Sequence, residues 1–161
     1  MNADPASLVD VHIAEGLADI PDPSILTRWV ELALDEIDKA GAVSVSLSVV
    51  DEEESRRLNR EYRDQDKATN VLSFPMEFDV APPPDEPLLL GDLAICGPVV
   101  AREAREQEKT PEDHWAHMVT HGVLHLAGHD HMNDEEAEVM ERLEKKILAR
   151  GGVADPYIAR D

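Results

Sequence analysis

The stretch HGVLHLAGHDH, residues 121–131, holds four histidines. His121 and His125 are four residues apart, so on an α-helix their side chains lie about 40° apart and one turn up. Two imidazoles so placed can hold one metal ion from the same side. A third ligand cannot come from further along a straight helix, because each residue adds about 1.5 Å of rise. The chain must turn back, and Gly128 stands where a C-cap glycine permits that turn through a positive φ. His131 then returns toward the pair. Three protein ligands with a fourth position open are the arrangement of a catalytic rather than a structural zinc site, and the expected ion is Zn2+, one per chain. His117 and His121 are also four apart and form a competing pair; the positions of Gly128 and His131 favour His121, His125 and His131. His114, His117 and His129 then support the ligands, face a substrate or simply lie on the surface.

The spacing His, +4, +10, with glycine at +7, is that of the metzincin zinc peptidases, HExxHxxGxxH. One residue differs. The glutamate that serves those enzymes as general base is Gly122 here, and a glycine cannot accept a proton from water. The ligand spacing of a zinc hydrolase is therefore present without the peptidase's base, which points to another hydrolysis. Asp130, beside a ligand, is a candidate general base or a holder of an imidazole N–H; His129 is a lesser candidate for the base.

A second group of chemically capable residues lies upstream. Arg56, Arg57, Arg60, Arg63 and Lys67 place five of the fifteen basic residues within twelve positions. Arg56, Arg60 and Arg63 recur at helical spacing, with Lys67 at the exit, as a basic stripe. Arginine suits a phosphate because its fork can form two bonds to the oxygens. The competing reading is a solvated face paired with Glu61, Asp64 and Asp66. Beyond it, TNVLSFP (69–75) reads as a strand whose entry turn Thr69 and Asn70 fix. A strand beside a metal cleft could align an extended substrate by edge pairing.

These residues need elements to position them. LVDVHI (8–13) alternates as a strand. PDPS breaks the chain, and a helix from Ile25 runs toward Gly41 as its stop. AVSVSLSVV (42–50) is a second strand. Asp51 with Glu54 forms a capping box opening a helix over 52–63. ATNVLSFPM (68–76) is a third strand, APPPDEP (81–87) an exposed loop and LLLGDLAIC (88–96) a fourth strand. Helices follow over about 98–108 and 112–127. Asn133 with Glu136 opens a last helix to about 149. This order predicts an α+β fold: a small mixed four-stranded sheet with packed helices, one of them a metal helix of the zinc-hydrolase kind. The chain reads as a single domain over 1–161, with no repeat.

Composition narrows the function further. The chain has 161 residues, enough for one real core. Its formal net charge of -20 argues against a protein that grips nucleic acid by a broadly basic surface, so an RNA substrate would be presented by shape or by a partner. No apolar run approaches the roughly 20 residues that span a bilayer, and MNADPASLVD has no basic segment leading an apolar one; no membrane partner is expected. The lone Cys96, in the apolar run LAIC, fits buried packing in a reducing compartment, so a cytoplasmic location is expected.

The motifs as they stand resemble those of a known family. HGVLHLAGHDH resembles the HGxLHLxGYDH signature of the YbeY family of endoribonucleases and rRNA maturation factors, with His129 in place of its tyrosine. LNREYRDQDKATNVLSFP (58–75) and LGDLAIC (90–96) resemble its other two hallmarks, and together the three segments lie in the family's order. The resemblance implies that His121, His125 and His131 bind zinc and that Arg63 is the functional arginine of the YR pair. It also implies single-strand-specific cleavage of RNA, work at the 3' end of 16S rRNA, ribosome quality control, and the small ribosomal subunit with its assembly factors as partners. Two rivals stand beside it. One is a zinc metallopeptidase-like hydrolase drawing its base from elsewhere. The other is a non-catalytic ribosome-assembly factor whose structural zinc takes His117 or Asp130 as fourth ligand, the only thiol, Cys96, lying on a strand far in sequence.

Overall fold

The computed structural model describes residues 9–39, 43–76, 88–129 and 133–153. Among the described residues four strands and five helices follow in the order β1 (Val9–Ile13), α1 (Pro23–Glu36), β2 (Val43–Val50), α2 (Glu52–Arg63), β3 (Val71–Pro75), β4 (Leu88–Cys96), α3 (Gly97–Glu106), α4 (Pro111–Leu126) and α5 (Asp134–Arg150). The sheet order is β1-β2-β4-β3. β1 and β2 pair parallel, as do β2 and β4, whereas β3 runs antiparallel to β4. The mixed four-stranded α+β sheet predicted from the sequence is therefore present, with β3 and β1 as its edges.

Strict alternation in β2 sets the two faces. Val43, Val45, Leu47 and Val49 are buried and join one core cluster with Leu93 and Ile95 of β4. That cluster also takes in Leu26, Trp29 and Val30 of α1, Trp115, Val119 and Val123 of α4, and Ile147 and Leu148 of α5. Ser44, Ser46 and Ser48 point to the opposite, half-open face. There Leu58 and Tyr62 of α2 flank a groove with Phe74 and Asp92.

α4 is the central helix. It packs on β3, β4, α1, α3 and α5, and most of its residues are buried, including His114, His117 and Thr120. Its two buried histidines each face a carboxylate from another helix, His114 that of Glu103 on α3 and His117 that of Glu144 on α5. Thr110 caps its start by accepting from the Asp113 N–H at 3.1 Å, with Pro111 in the first turn.

Two expected boundaries shift for local reasons. α1 ends at Glu36 rather than near Gly41, because Asp38 takes a left-handed conformation (φ 59°) and the Lys39 N–H closes onto Leu34 O at 2.8 Å. β3 starts at Val71 rather than 68, because Thr69 and Asn70 form the entry turn. The Ser55 hydroxyl donates to Thr69 O and accepts from Thr69 N–H, both at 3.0 Å, and Asn70 Oδ1 accepts from Val71 N–H at 2.6 Å. Gly41 and the loop 81–87 lie outside the described residues. Asp51 and Asn133 do cap α2 and α5, accepting from Glu54 N–H and Glu136 N–H at 2.8 Å each. The Glu54 carboxylate turns to Arg57 instead of completing a box.

Candidate metal centre

The last turn of α4 brings His121 and His125 together. Their Nε2 atoms lie 3.1 Å apart. At zinc–nitrogen distances of about 2.0–2.1 Å, such a separation subtends about 100° at one shared ion. The donor set therefore fits a divalent transition metal. His121 Nδ1, on the far side of the ring, lies 2.5 Å from Glu144 Oε2. Glu144 comes from α5 and is fully buried, and its other oxygen is 3.5 Å from His117 Nε2. His117, His121 and Glu144 thus offer ligand atoms all within 4.8 Å of one another, a possible metal site in its own right.

The helix end is built as its sequence requires. Gly128 has φ 97°, the His129 N–H reaches back to Leu124 O and the Gly128 N–H to His125 O, both at 3.0 Å. This is the two-bond closure that a left-handed residue permits. An added Cβ at Gly128 would meet no atom, so only the backbone angle calls for glycine. Asp130 and His131, which follow the turn, lie outside the described residues.

Gly122 has a different reason. A Cβ there would come within 2.7 Å of Leu93 Cδ2 and 3.2 Å of Val71 Cγ2. Position 122 faces the sheet, where a glutamate has no room, so the missing peptidase base is also a packing necessity.

The basic stripe is largely neutralised. Arg56 forms two bonds to Asp66 at 2.8 and 3.0 Å, Arg60 lies 3.6 Å from Asp66, and Arg57 is held by Glu54 and Glu61. Arg56 beside Asp66 holds that carboxyl below the usual carboxylate range. The paired-face reading describes these three arginines, except that Asp64 serves as the left-handed C-cap of α2. Arg63 departs from the stripe. Its Nη2 donates to Ser73 O at 2.8 Å, and the Ser73 hydroxyl donates to Gly122 O at 3.3 Å. Arg63 is thereby linked through β3 to the residue after His121.

The remaining histidines of α4 are not surface groups. His114 is 2 % exposed, with Nε2 2.9 Å from Glu103 Oε1, and Asn70 also donates to that carboxylate. Burial pulls the His114 pKa down, against the opposing pull of Glu103. Cys96 is buried beside Ser55 and Val99, and burial pushes its thiol up. It has no part in the group of His117, His121 and Glu144. Sequence reasoning missed Glu144 and Ser73. The signal for Glu144 was an acid four residues after Met140 and three before Ile147, on the buried stripe of α5. Ser73 carried none.

The fold and site define an α+β protein with a group of side chains that could hold a metal ion, gathered around its central helix. Residues 19–152 match a family described as endoribonuclease YbeY. A protein named endoribonuclease YbeY from Alkalilimnicola ehrlichii is 52% identical, covering 98% of this chain and 95% of that one. Its namesake from Alcanivorax borkumensis is 51% identical over 98% and 90%, and that from Cellvibrio japonicus 50% over 92% and 82%. The solution structure of TM1509 from Thermotoga maritima is 28% identical, covers 94% of this chain and 99% of that one, and has a TM-score of 0.56. The chain belongs to the YbeY endoribonuclease family. Among the described residues no helix is long and apolar enough to cross a membrane.

Proposed function

We propose that this chain, as a single domain over 1–161, is a zinc-dependent, single-strand-specific endoribonuclease that matures the 3' end of 16S rRNA and serves ribosome quality control in the cytoplasm. His121, His125 and His131 hold one Zn2+, Arg63 meets the scissile phosphate, and Asp130 takes or orients the proton. The carrying observation is the convergence of the two Nε2 atoms at 3.1 Å. A divalent ion held there supplies Lewis-acid polarisation of a phosphoryl oxygen and of water at neutral pH. Arg63 is anchored by one nitrogen on Ser73, which leaves its other donors for phosphate oxygens carrying developing charge. A net charge of -20, with Arg56, Arg57 and Arg60 already bound to carboxylates, gives little long-range attraction for RNA. The small ribosomal subunit and its assembly factors therefore present the strand.

The test pairs metal content by elemental analysis with cleavage of a single-stranded RNA carrying the 16S 3' end. Wild type carries about one zinc and cuts, His125→Ala loses both, and Arg63→Ala keeps zinc but stops cutting. A wild type that binds zinc yet never cuts, once freed of contaminating nuclease, would sink the catalytic reading.

A further inference from the structure

Glu144 is the one fully buried acid among the described residues. It projects from α5, between Met140 and Ile147 of the core, to the side of His121 that faces away from His125. A buried carboxylate costs several kcal/mol unless it is well paired, and both oxygens here face imidazole nitrogens of α4. Two roles are open to it: ligand to an ion shared with His117 and His121, or hydrogen-bond acceptor behind a ligand.

Distance decides between them. Two ligand atoms at about 2.0–2.2 Å from one ion cannot approach to 2.5 Å without an angle near 75°, far below the tetrahedral value. A separation of 2.5 Å between Glu144 Oε2 and His121 Nδ1 falls just under the about 2.7–2.9 Å of a charge-assisted N–H···O hydrogen bond and far from the spacing of two ligands on one tetrahedral ion. The Nε2 pair at 3.1 Å has the spacing of two atoms on one ion.

We propose that Glu144 is a positioning residue that selects the tautomer of His121. It accepts the Nδ1–H, which leaves Nε2 unprotonated and aimed, with Nε2 of His125, at the same point. A neutral imidazole carries one N–H. Without an acceptor on the Nδ1 side, the proton can reside on Nε2 and block coordination. The carboxylate also raises the basicity of the ring it holds. His117, on the second oxygen, holds the carboxylate in register. Glu144 thereby ties the last helix to the metal helix and commits the ion to one of the two overlapping donor sets. This inference rests on His121 and His125 being ligands, as read above.

The experiment uses the full chain with zinc and cobalt(II) as probes. Long-range proton–nitrogen correlation spectra of metal-free wild type, at mildly alkaline pH, should show His121 protonated on Nδ1. Glu144→Gln should remain folded by circular dichroism, show a mixed His121 tautomer and bind zinc about 10–100-fold more weakly. Its cobalt(II) visible bands should keep their wild-type positions, because no ligand has changed. His125→Ala, in parallel, should lose the metal. If Glu144→Gln keeps both the tautomer and the zinc affinity while His125→Ala loses zinc, the positioning role is wrong and the ligand reading stands. If Glu144→Gln loses zinc outright and His125→Ala retains it, the ion sits among His117, His121 and Glu144, and both fall. Should the glutamine variant fail to fold, the wild-type spectrum still decides: His121 protonated on Nε2 overturns the proposal.

Discussion

Arg63 Nη2 donates to the main-chain oxygen of Ser73 at 2.8 Å, and Ser73 in turn donates to Gly122, the neighbour of His121. A guanidinium has five donors in a planar fork, so it can hold Ser73 and still face a phosphate, whereas an ammonium on a flexible stem cannot reproduce that geometry. Arg63→Lys should therefore lower single-turnover RNA cleavage by about 10²-fold while moving the melting temperature by no more than ~2 °C, since the residue is exposed. Equal cleavage by the lysine variant would remove the specific role of the arginine.

Restoring the metzincin glutamate should not restore a peptidase. Gly122→Glu drives a carboxylate into Leu93 and Val71. Overpacking of about 1–3 kcal/mol adds to an unpaired buried charge of several more. The expected outcome is loss of folding, or a fall in melting temperature of roughly 10 °C or more, with no casein cleavage. A well-folded variant that digests casein would contradict the packing account.

His114 carries the clearest pH dependence. Its folded pKa lies below the ordinary 6.5, chiefly because burial disfavours the imidazolium. The unfolded chain then binds the proton more readily, so stability is complete above about 6.5 and falls as the pH drops below it. Thermal melts between about pH 8 and pH 5 should show this decline in wild type and a shallower one in His114→Asn. Parallel curves for the two proteins would assign the acid sensitivity elsewhere.

Gly128→Ala tests the turn that follows α4. Alanine at φ 97° is strained by about 1 kcal/mol or more, with no steric clash to add. The variant should melt a few degrees lower and bind zinc more weakly, because this turn leads the chain to residue 131. Unchanged zinc affinity, measured by competition with a chelating dye, would separate the turn from the metal site.

Chelation distinguishes a catalytic ion from a structural one. The core joins α1, α4, α5 and the sheet through apolar contacts that do not involve the histidine pair. Treatment with EDTA should abolish RNA cleavage while leaving the far-ultraviolet circular dichroism unchanged. Unfolding on chelation would favour the structural-zinc reading.

Much of the fold was legible because periodicity and capping agree locally. β2 alternates residue by residue, α2 is capped by Asp51 and runs from Glu52 to Arg63 as its pattern suggests, and Gly128 has the backbone angle its place after a histidine helix demands. The His121–His125 pair was legible from spacing alone. Contacts between elements distant in the chain were not. Glu144 reaches His121 across 23 positions, and Ser73 reaches Gly122 across 49. The basic stripe left two readings open, a phosphate face and a face paired with Glu61, Asp64 and Asp66, and the second describes Arg56, Arg57 and Arg60: Asp66, beyond the helix end, folds back onto Arg56 and Arg60. Gly122 looked like a lost catalytic group, yet its neighbour Leu93 supplies a reason that only packing reveals.

The antiparallel register of β3 has a consequence for life at high concentration. Main-chain groups of Asn70 and Met76 bond to β4, and by the alternation of an antiparallel ladder those of Ser73 and Pro75 turn to the outer edge. An open edge of this kind invites a second chain to zip on and start an aggregate. Here the Ser73 oxygen is already taken by Arg63, and Pro75 has no N–H to offer. The arginine proposed for phosphate thus also guards the rim of the sheet, and a chain stripped of it should be stickier as well as slower.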